Sequence, residues 1–342
     1  MTGRAVVALV DLPEVSTPLP WHAPVWEQLS SQVAAEQLPH ALLFAGEHGC
    51  GVSRLALALA RMLLCASPTG TFNCGECQAC MLSARGSHGD FNWLEPEEKS
   101  RFIKVGQIRE AVQFATLTSS FGPRKVIVVS PADNMSLSAY NSLLKTLEEP
   151  ADDTYWLLVC GRMLGVPATI RSRCRHWQLA RPNGSAALEW LDVITGERST
   201  SEKLFRLANG RPLDAQQLFV EGRADAMVGR RELLNAVIAG QIEVTEASPL
   251  WEQHGPDVFL DDLIESLQSL VGSLPLTLLK SRSGRAAFGI LEEMQRLRRA
   301  VSAGSNPGKQ LLIETTLLKI RRELGGLGHG DIMSWPSGDA SP

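Results

Sequence analysis

Short apolar runs alternate with longer amphipathic stretches through the first half of the chain. The runs have the length and composition of buried β-strands, and the stretches between them repeat their apolar residues at helical spacing. Such alternation predicts a parallel sheet that is covered by helices on both faces. The predicted strands are 41–45, 126–129, 155–160 and 176–179, and the predicted helices between them are 53–64, 105–117 and 136–147.

A boundary follows at Pro182-Asn183-Gly184-Ser185, and beyond it the pattern is wholly helical. Short segments at 185–195 and 200–208 predict a small helical lid, and longer amphipathic segments begin after about residue 222. The last residues are rich in Gly, Ser, Pro and Asp, a composition typical of disorder. We therefore expect an α/β domain over 1–181, a lid over 182–221, an all-helical domain over 222–327 and a disordered tail over 328–342.

Charge and composition narrow the function classes. The 33 Lys and Arg against 37 Asp and Glu give a net charge of −4, which argues against a self-sufficient DNA-binding protein. Basic residues do collect in the last two long helices, where we interpret them as a solvated helix face. No apolar run approaches the length of a membrane span. We also expect no secretory signal. We expect a cytoplasmic protein without a membrane partner.

Four of the seven cysteines have the spacing of a metal site. Cys65, Cys74, Cys77 and Cys80 form the pattern C-x8-C-x2-C-x2-C, and Gly75 permits a tight knuckle. Four thiolates around Zn²⁺ make a closed structural site with no open position for a substrate. Disulfides or a redox pair are the alternatives, and a reducing cytosol disfavours the disulfides. We predict structural zinc, which contributes on the order of 10 kcal/mol to the folding of its loop.

Residues 46–53, Gly-Glu-His-Gly-Cys-Gly-Val-Ser, resemble a phosphate-binding loop that has lost its lysine. The working pattern is Gly, four residues, then Gly-Lys-Ser/Thr between a strand and a helix. Its lysine supplies positive charge to the β- and γ-phosphates, and here Val52 stands in that position. The residues of the pattern that remain, as a degenerate nucleotide site, are Gly46, Gly49, Gly51 and Ser53.

The acidic half of a nucleotide site is missing as well. A P-loop ATPase holds Mg²⁺ with a carboxylate at the end of a neighbouring strand. The strand predicted at 126–129 ends in Ser130-Pro131, and Asp133 follows later, where we expect it to cap the next helix. We predict that the chain does not hydrolyse ATP and binds it not at all or with roughly millimolar affinity at best.

Two further segments carry a specific resemblance. These are 141–150 (NSLLKTLEEP) and 170–174 (IRSRC). Together with the degenerate loop and the cysteine knuckle, they resemble the bacterial sliding-clamp loader, a group of AAA+ proteins, and order and spacing agree from about Leu38 to Cys174. The resemblance implies an AAA+ P-loop domain with a zinc knuckle, a small helical lid and an all-α collar domain for oligomerisation.

The same resemblance assigns a role to one arginine. A γ-phosphate under transfer spreads negative charge, and an arginine from a neighbouring subunit that stabilises it is worth roughly 10³–10⁵ in rate. In the clamp-loader group, the arginine of the Ser-Arg-Cys segment reaches the next subunit's ATP site. Carried over by motif, that residue is Arg173, with Arg171 as the nearest alternative. The competing interpretation is an arginine that forms an ion pair within its own domain.

Motor subunits of the group keep the loop lysine and an Asp-Glu pair, and this chain keeps neither. The resemblance therefore implies a non-hydrolysing stator in a five-membered ring with motor subunits and the delta subunit of DNA polymerase III holoenzyme. That ring uses ATP to load the sliding clamp onto primed DNA. The alternative is an active AAA+ ATPase of the motor (gamma/tau) type, in which Asp133 would hold Mg²⁺ and Lys125 would hold phosphate. Both residues lie in the wrong relation to the loop for that role.

Overall fold

The computed structural model describes residues 13–97, 100, 102–252, 255–274, 276–302, 305 and 307–325. The tail predicted over 328–342 lies outside these residues, as does the start of the first predicted domain. The described chain divides into two compact units. The first runs to Val193 and includes Arg211–Leu213, and the second holds Ile194–Gly210 and the residues from Asp214 onward.

A parallel sheet forms the centre of the first unit, as the alternating pattern predicts. Each pair of neighbouring strands in this sheet runs parallel. All four predicted strands are confirmed to within a residue at each end. The strands are β1 (Ala41–Ala45), β2 (Phe91–Leu94), β3 (Lys125–Val129), β4 (Thr154–Cys160) and β5 (Arg175–Gln178). They lie side by side in the order β2-β3-β4-β1-β5.

Helices connect and cover these strands. Three short 3₁₀ turns, Pro20–His22, Ala132–Asn134 and Met163–Gly165, complete the connections. The predicted helices 53–64, 105–117 and 136–147 are confirmed. The helices Ala23–Ala34, Gln78–Ala84 and Ala168–Arg171 and the edge strand β2 were not predicted. The helices of this part are α1 (Ala23–Ala34), α2 (Val52–Leu64), α3 (Gln78–Ala84), α4 (Val105–Thr116), α5 (Leu137–Glu148), α6 (Ala168–Arg171) and α7 (Gly184–Thr195).

The sheet has an apolar core on each face, because successive side chains of a strand point to opposite sides. Leu42 and Phe44 of β1 point to the face covered by α1 and α2. Leu43 of β1 and Trp156 of β4 belong to the opposite core, which α4 and α5 cover. Every residue of β1 and β3 is buried, which is why these strands read as continuous apolar runs.

The second unit is helical. Its core is formed by apolar residues of α10, α11, α12, α14 and α15. The segments predicted as the lid and as the all-helical domain both consist of helices. Their boundaries, 182–221 and 222–327, stay a prediction. The helices here are α8 (Arg198–Leu207), α9 (Pro212–Val220), α10 (Ala224–Ile238), α11 (Val244–Glu252), α12 (Pro256–Ser273), α13 (Leu276–Leu279), α14 (Arg282–Ser302) and α15 (Lys309–Leu324).

Among the described residues, no helix combines the length and the apolar character that a membrane crossing requires.

Candidate functional site

The degenerate phosphate loop lies where the sequence predicts it, between the end of β1 and the start of α2. Gly49 and Gly51 have φ of 78° and 87°, and Gly51 is the N-cap of α2. Residues with a side chain rarely adopt such left-handed angles, so these glycines preserve the backbone course of a phosphate loop. The sequence motif therefore corresponds to a glycine-containing turn between a strand and a helix in the structure.

Apolar side chains occupy the surroundings of this loop. Val52, at the lysine position, is 6% exposed, and its Cγ2 atom lies 2.8 Å from where a Cβ atom on Gly46 would stand. The Leu19 side chain packs against Gly51. Val52 and Leu19 thus pack against two of the loop glycines, and position 52 offers a phosphate no positive charge.

The loop is also tied to other parts of the first unit. The indole Nε1 of Trp21 donates a hydrogen bond of 2.9 Å to the carbonyl of Cys50, and the backbone N–H of Leu213 donates one of 3.0 Å to the carbonyl of Gly49. Glu47 carries a carboxylate in the loop and pairs with Arg181, which raises the pKa of that arginine. A carboxylate within the loop disfavours an anionic ligand there.

The magnesium side of the site contains hydroxyl groups in place of a carboxylate. Ser53 Oγ lies 3.4 Å from Ser130 Oγ, the residue that follows β3. In a P-loop ATPase, the loop hydroxyl and the carboxylate of the neighbouring strand both serve Mg²⁺. Two neutral hydroxyls offer a divalent cation far weaker ligands than a carboxylate.

Asp133 does not cap a helix, contrary to our expectation from the sequence. Its carboxylate accepts hydrogen bonds from the backbone N–H groups of Gly161 (3.4 Å) and Arg162 (3.2 Å), which follow β4. The cap of α5 is Ser136, whose hydroxyl accepts from the N–H of Ala139. Asp133 therefore links the segment after β3 to the segment after β4 instead of capping α5.

Lys125, the other residue of the active-ATPase alternative, is remote from the loop. It opens β3, whereas the loop follows the carboxyl end of β1, and parallel strands place these two points at opposite edges of the sheet. Lys125 is buried, and its Nζ atom donates to the carbonyl of Phe114 at 2.9 Å and lies over that ring. Lys125 thus pairs within the fold, at the edge of the sheet opposite to the loop, where it would not contact a phosphate bound in the loop.

The four cysteines of the predicted knuckle come together. The Sγ atoms of Cys65, Cys74, Cys77 and Cys80 all lie within 4.8 Å of one another, and two pairs are 3.9 Å apart. Backbone N–H groups donate to three of these sulfurs, and the amide of Asn73 donates to Cys80 Sγ at 3.3 Å. Such donors stabilise thiolates. The arrangement could hold a metal ion and fits structural zinc, whose four-thiolate sites have this donor set.

The thiol pKa values differ around the cluster. Burial raises the pKa of Cys65 to about 12 and also raises that of Cys80. Burial opposes ionisation of Cys77 too, but hydrogen bonds from the backbone of Ala66 and Cys80 and from neighbouring thiols outweigh it and lower the pKa to about 6. The Cys77 thiol is thus ready to bind a cation at neutral pH, whereas Cys65 and Cys80 need the cation itself to lose their protons.

A buried arginine lies beside the cluster. Arg61 of α2 is 1% exposed, and its guanidinium donates to the carbonyl of Cys80 at 3.2 Å and to Ser83 Oγ at 3.2 Å. It also donates to Ser16 Oγ at 2.7 Å and to the carbonyls of Pro13 and Glu14. Burial lowers the pKa of Arg61, and the cysteines oppose that shift. The arginine therefore joins α2, the segment before α1 and the cysteine knuckle.

The predicted finger, Arg173, lies in the turn after α6 at the surface of the first unit. Its side chain is 32% exposed and forms an ion pair with Glu148, the last residue of α5. Nε donates to Glu148 Oε1 at 2.8 Å, and Nη1 donates to the carbonyl of Thr169 at 2.8 Å. In the single chain, Arg173 thus has the intradomain pair that the competing interpretation foresaw, on a side chain that is still partly accessible.

Most of the segment 141–150 lies on α5, which ends at Glu148. Leu143 and Leu147 are buried, Leu144 packs against the same core, and Lys145 and Glu148 are exposed. The alternative finger, Arg171, is half-buried, and its carbonyl accepts a hydrogen bond of 2.6 Å from His176 Nε2.

Sequence reasoning missed three contributors to these sites. Glu148 and Leu19 are recognisable only once the fold brings distant segments together. Arg61 did leave a signal, because it is a charged residue in the apolar stretch SRLALALARMLL that forms a helix buried along almost its whole length. A charge in such a position needs internal partners.

Residues 21–183 match the family described as DNA polymerase III, delta subunit. The DNA polymerase III subunit delta′ of Pseudomonas aeruginosa is 40% identical over 239 residues, which cover 68% of this chain and 70% of that protein. The subunit delta′ of Yersinia pestis is 33% identical over 280 residues, 80% of each chain.

A solved structure agrees with the fold. A DNA polymerase III gamma subunit-related protein from Thermotoga maritima covers 86% of this chain and 99% of its own length, with a TM-score of 0.51 at 15% identity. At that identity the likeness concerns the fold alone.

Proposed function

The chain belongs to the delta-prime subunits of the DNA polymerase III clamp loader, and from that premise we propose that it is a non-hydrolysing stator which donates Arg173 to a neighbouring ATP site. The observation that carries the proposal is Val52, buried at the position where an active loop has its lysine. A subunit that has lost its own phosphate site has no intrinsic ATPase activity, yet its arginine remains available to complete a neighbour's site.

The assembly is part of the proposal. We envisage a five-membered ring with motor subunits and the delta subunit, which loads the sliding clamp onto primed DNA in the cytoplasm as part of the polymerase holoenzyme. The first domain would lean on a motor subunit, the residues 182–221 would form the lid, and the residues 222–327 would join the collar. Partial exposure of Arg173 on the first unit supports a role across a subunit boundary.

Zinc has a structural role in this proposal. Cys65, Cys74, Cys77 and Cys80 would hold the ion, which would supply a fixed cross-link between the end of α2 and the knuckle. A four-cysteine site leaves no open coordination position, so the metal takes no part in ATP hydrolysis.

The positions of its two candidate residues disfavour the alternative, an active ATPase of the motor type. Asp133 is engaged by two backbone N–H groups, and Lys125 is buried at the opposite sheet edge. Gly46, Gly49, Gly51 and Ser53 keep the loop course, but backbone N–H groups alone provide little affinity for a nucleotide without the lysine and the metal.

Nucleotide binding by the isolated chain separates the two functions. We expect no saturable binding of Mg-ATP by calorimetry up to about 1 mM, because the main cationic contacts are missing. We also expect no ATP turnover above the rate of the buffer. Micromolar binding with turnover would make the chain a motor subunit and would end the stator proposal.

A further inference from the structure

The contacts of Arg173 in the single chain are unusually complete for an arginine at a surface. A guanidinium has five N–H donors. Nε and Nη2 both donate to Glu148 Oε1, and Nη1 donates to the carbonyl of Thr169 and, at 3.3 Å, to Ser172 Oγ. These four bonds leave one donor. A phosphate that takes a fork of two donors from this arginine must therefore replace at least one of them.

Glu148 stands at a position that helix stability alone does not favour. It is the last residue of α5, and Glu149 follows as the C-cap. The carboxyl end of a helix carries partial negative charge, so an acidic side chain there is repelled unless a cation compensates it. Arg173 is the cation that Glu148 contacts. The two side chains thus hold each other, one from α5 and one from the turn after α6.

The pair is also easily exchanged. Glu148 is 48% exposed and Arg173 is 32% exposed at the side chain, so water and salt screen their attraction. A triphosphate at a subunit boundary carries more negative charge than one carboxylate and would compete for the same guanidinium. The contact is therefore strong enough to orient Arg173 toward its own domain and weak enough to open on assembly.

We propose that Glu148 is an intramolecular restraint on Arg173, which keeps the guanidinium bound within the chain until a neighbouring subunit's triphosphate displaces the carboxylate. This inference rests on the proposed function, since it assigns a regulating partner to the donated arginine. Each time Arg173 binds a neighbouring triphosphate, its ion pair with Glu148 must first break, and breaking it costs free energy. Removing the carboxylate removes that cost.

The test uses the assembled clamp loader, reconstituted with this chain carrying Glu148→Gln. Glutamine keeps the size and one acceptor oxygen but loses the charge. We expect kcat/KM for ATP, measured with clamp and primed DNA, to rise about twofold to fivefold, the range of an exposed ion pair. Glu149→Gln is the matched control, because it makes the same charge change one residue away at the same helix end. It should leave kcat/KM unchanged.

A second comparison shows whether the effect passes through the arginine. In the Arg173→Ala background, Glu148→Gln should have no effect on kcat/KM, because no guanidinium is left to release. Gel filtration and thermal unfolding of each variant confirm equal assembly and folding before rates are compared.

Three results would overturn the restraint, and they differ from one another. If Arg173→Ala slows turnover while Glu148→Gln matches Glu149→Gln, the finger stands and the restraint is wrong. If Glu148→Gln slows turnover, the carboxylate positions the arginine productively instead of withholding it. If Arg173→Ala has no effect, the donated arginine itself is wrong, and the restraint is lost with it.

Discussion

At the scale of single residues, Val52 replaces the lysine whose charge we expect nucleotide binding to require. Its side chain is buried in an apolar cluster, and Ser130 follows β3 where an ATPase has a carboxylate for Mg²⁺. Restoring the lysine should therefore not restore the function.

We expect Val52→Lys to leave Mg-ATP binding undetectable and to lower the free energy of unfolding by about 1–3 kcal/mol, because the longer side chain overpacks the site. Calorimetric titration and urea unfolding measure the two effects. Binding of Mg-ATP tighter than about 1 mM by this variant would show that only the charge was missing.

His22 gives the protein a pH dependence at the same site. It is 1% exposed beside Gly51, and burial lowers its pKa to about 4, although the carbonyl of Cys50 opposes the shift. Between about pH 6.5 and pH 4 the unfolded chain binds a proton at this residue that the folded chain does not. Stability from this group is thus present above pH 6.5 and falls as the pH falls toward 4.

From pH 7 to pH 5 we expect His22 to reduce the free energy of unfolding by about 2 kcal/mol, calculated from about 1.4 kcal/mol for each pKa unit. His22→Phe keeps a buried ring and should lack this component, so its urea unfolding curves at the two pH values should differ by that much less. Equal losses in wild type and His22→Phe would mean that His22 is protonated in the folded chain.

We expect Arg61 to influence the affinity of the cysteine cluster for zinc. A zinc ion with four thiolates carries an excess of negative charge, and Arg61 is the buried cation that contacts the backbone of Cys80 and the hydroxyl of Ser83. We expect Arg61→Met to weaken zinc binding about 10–100-fold, the usual effect of removing a partner behind the metal ligands. Competition with a chelating dye measures the affinity. Arg85→Met, at the exposed end of α3, serves as the control, and equal affinities in the two variants would contradict a role for Arg61.

At the scale of elements, the cysteine knuckle is the part whose folding we expect to depend on a metal ion. Its helix α3 has seven residues, and its N-cap is Cys77 itself. We expect about one zinc per chain, and its loss in Cys74→Ser/Cys77→Ser. Since structural zinc contributes on the order of 10 kcal/mol, the knuckle should unfold while the sheet persists.

Hydrogen exchange distinguishes these regions of the zinc-free variant. Amides of residues 65–85 should lose protection, and those of β1, β3 and β4 should keep it. A knuckle that stays protected without metal would show that zinc is dispensable for its folding.

The elements that could be predicted from sequence are those whose pattern is strong by itself. β1, β3 and β4 are continuous apolar runs, and α2 and α5 repeat apolar residues at helical spacing. β2 was missed because FNWL is short and lies at the sheet edge, where only part of each side chain needs burial. Such a strand is defined by its pairing with β3 rather than by its own composition.

The same distinction holds for the sites, because only those with a local sequence pattern could be predicted. The cysteine spacing predicted a cluster that the fold confirms, since ligand spacing is a local property. The Arg173–Glu148 pair joins residues that are 25 positions apart, and the Asp133 contacts span 28 and 29 positions. A contact between separate elements depends on how they pack, and no local pattern records it.

At the scale of the whole molecule, the pairing of charged side chains supports a subunit of an assembly rather than an independent DNA-binding protein. Several basic residues of the last helices are paired with acidic residues of the second unit: Arg298 with Asp261, Lys319 with Glu293, and Arg321 with Glu243. Pairing of this kind reduces the field available to a phosphate backbone. It supports the interpretation of these residues as a solvated helix face.

The central claim is that a chain without a working nucleotide site serves its neighbour's site through Arg173. The most direct test is the clamp- and DNA-stimulated ATPase rate of the loader reconstituted with Arg173→Ala, with assembly verified by gel filtration. Because such an arginine is worth roughly 10³–10⁵ in rate at the site that it completes, we predict at least about a tenfold loss for the whole ring. Arg171→Ala should retain the wild-type rate. An assembled Arg173→Ala loader with unchanged turnover would contradict the account and leave the chain a scaffold only.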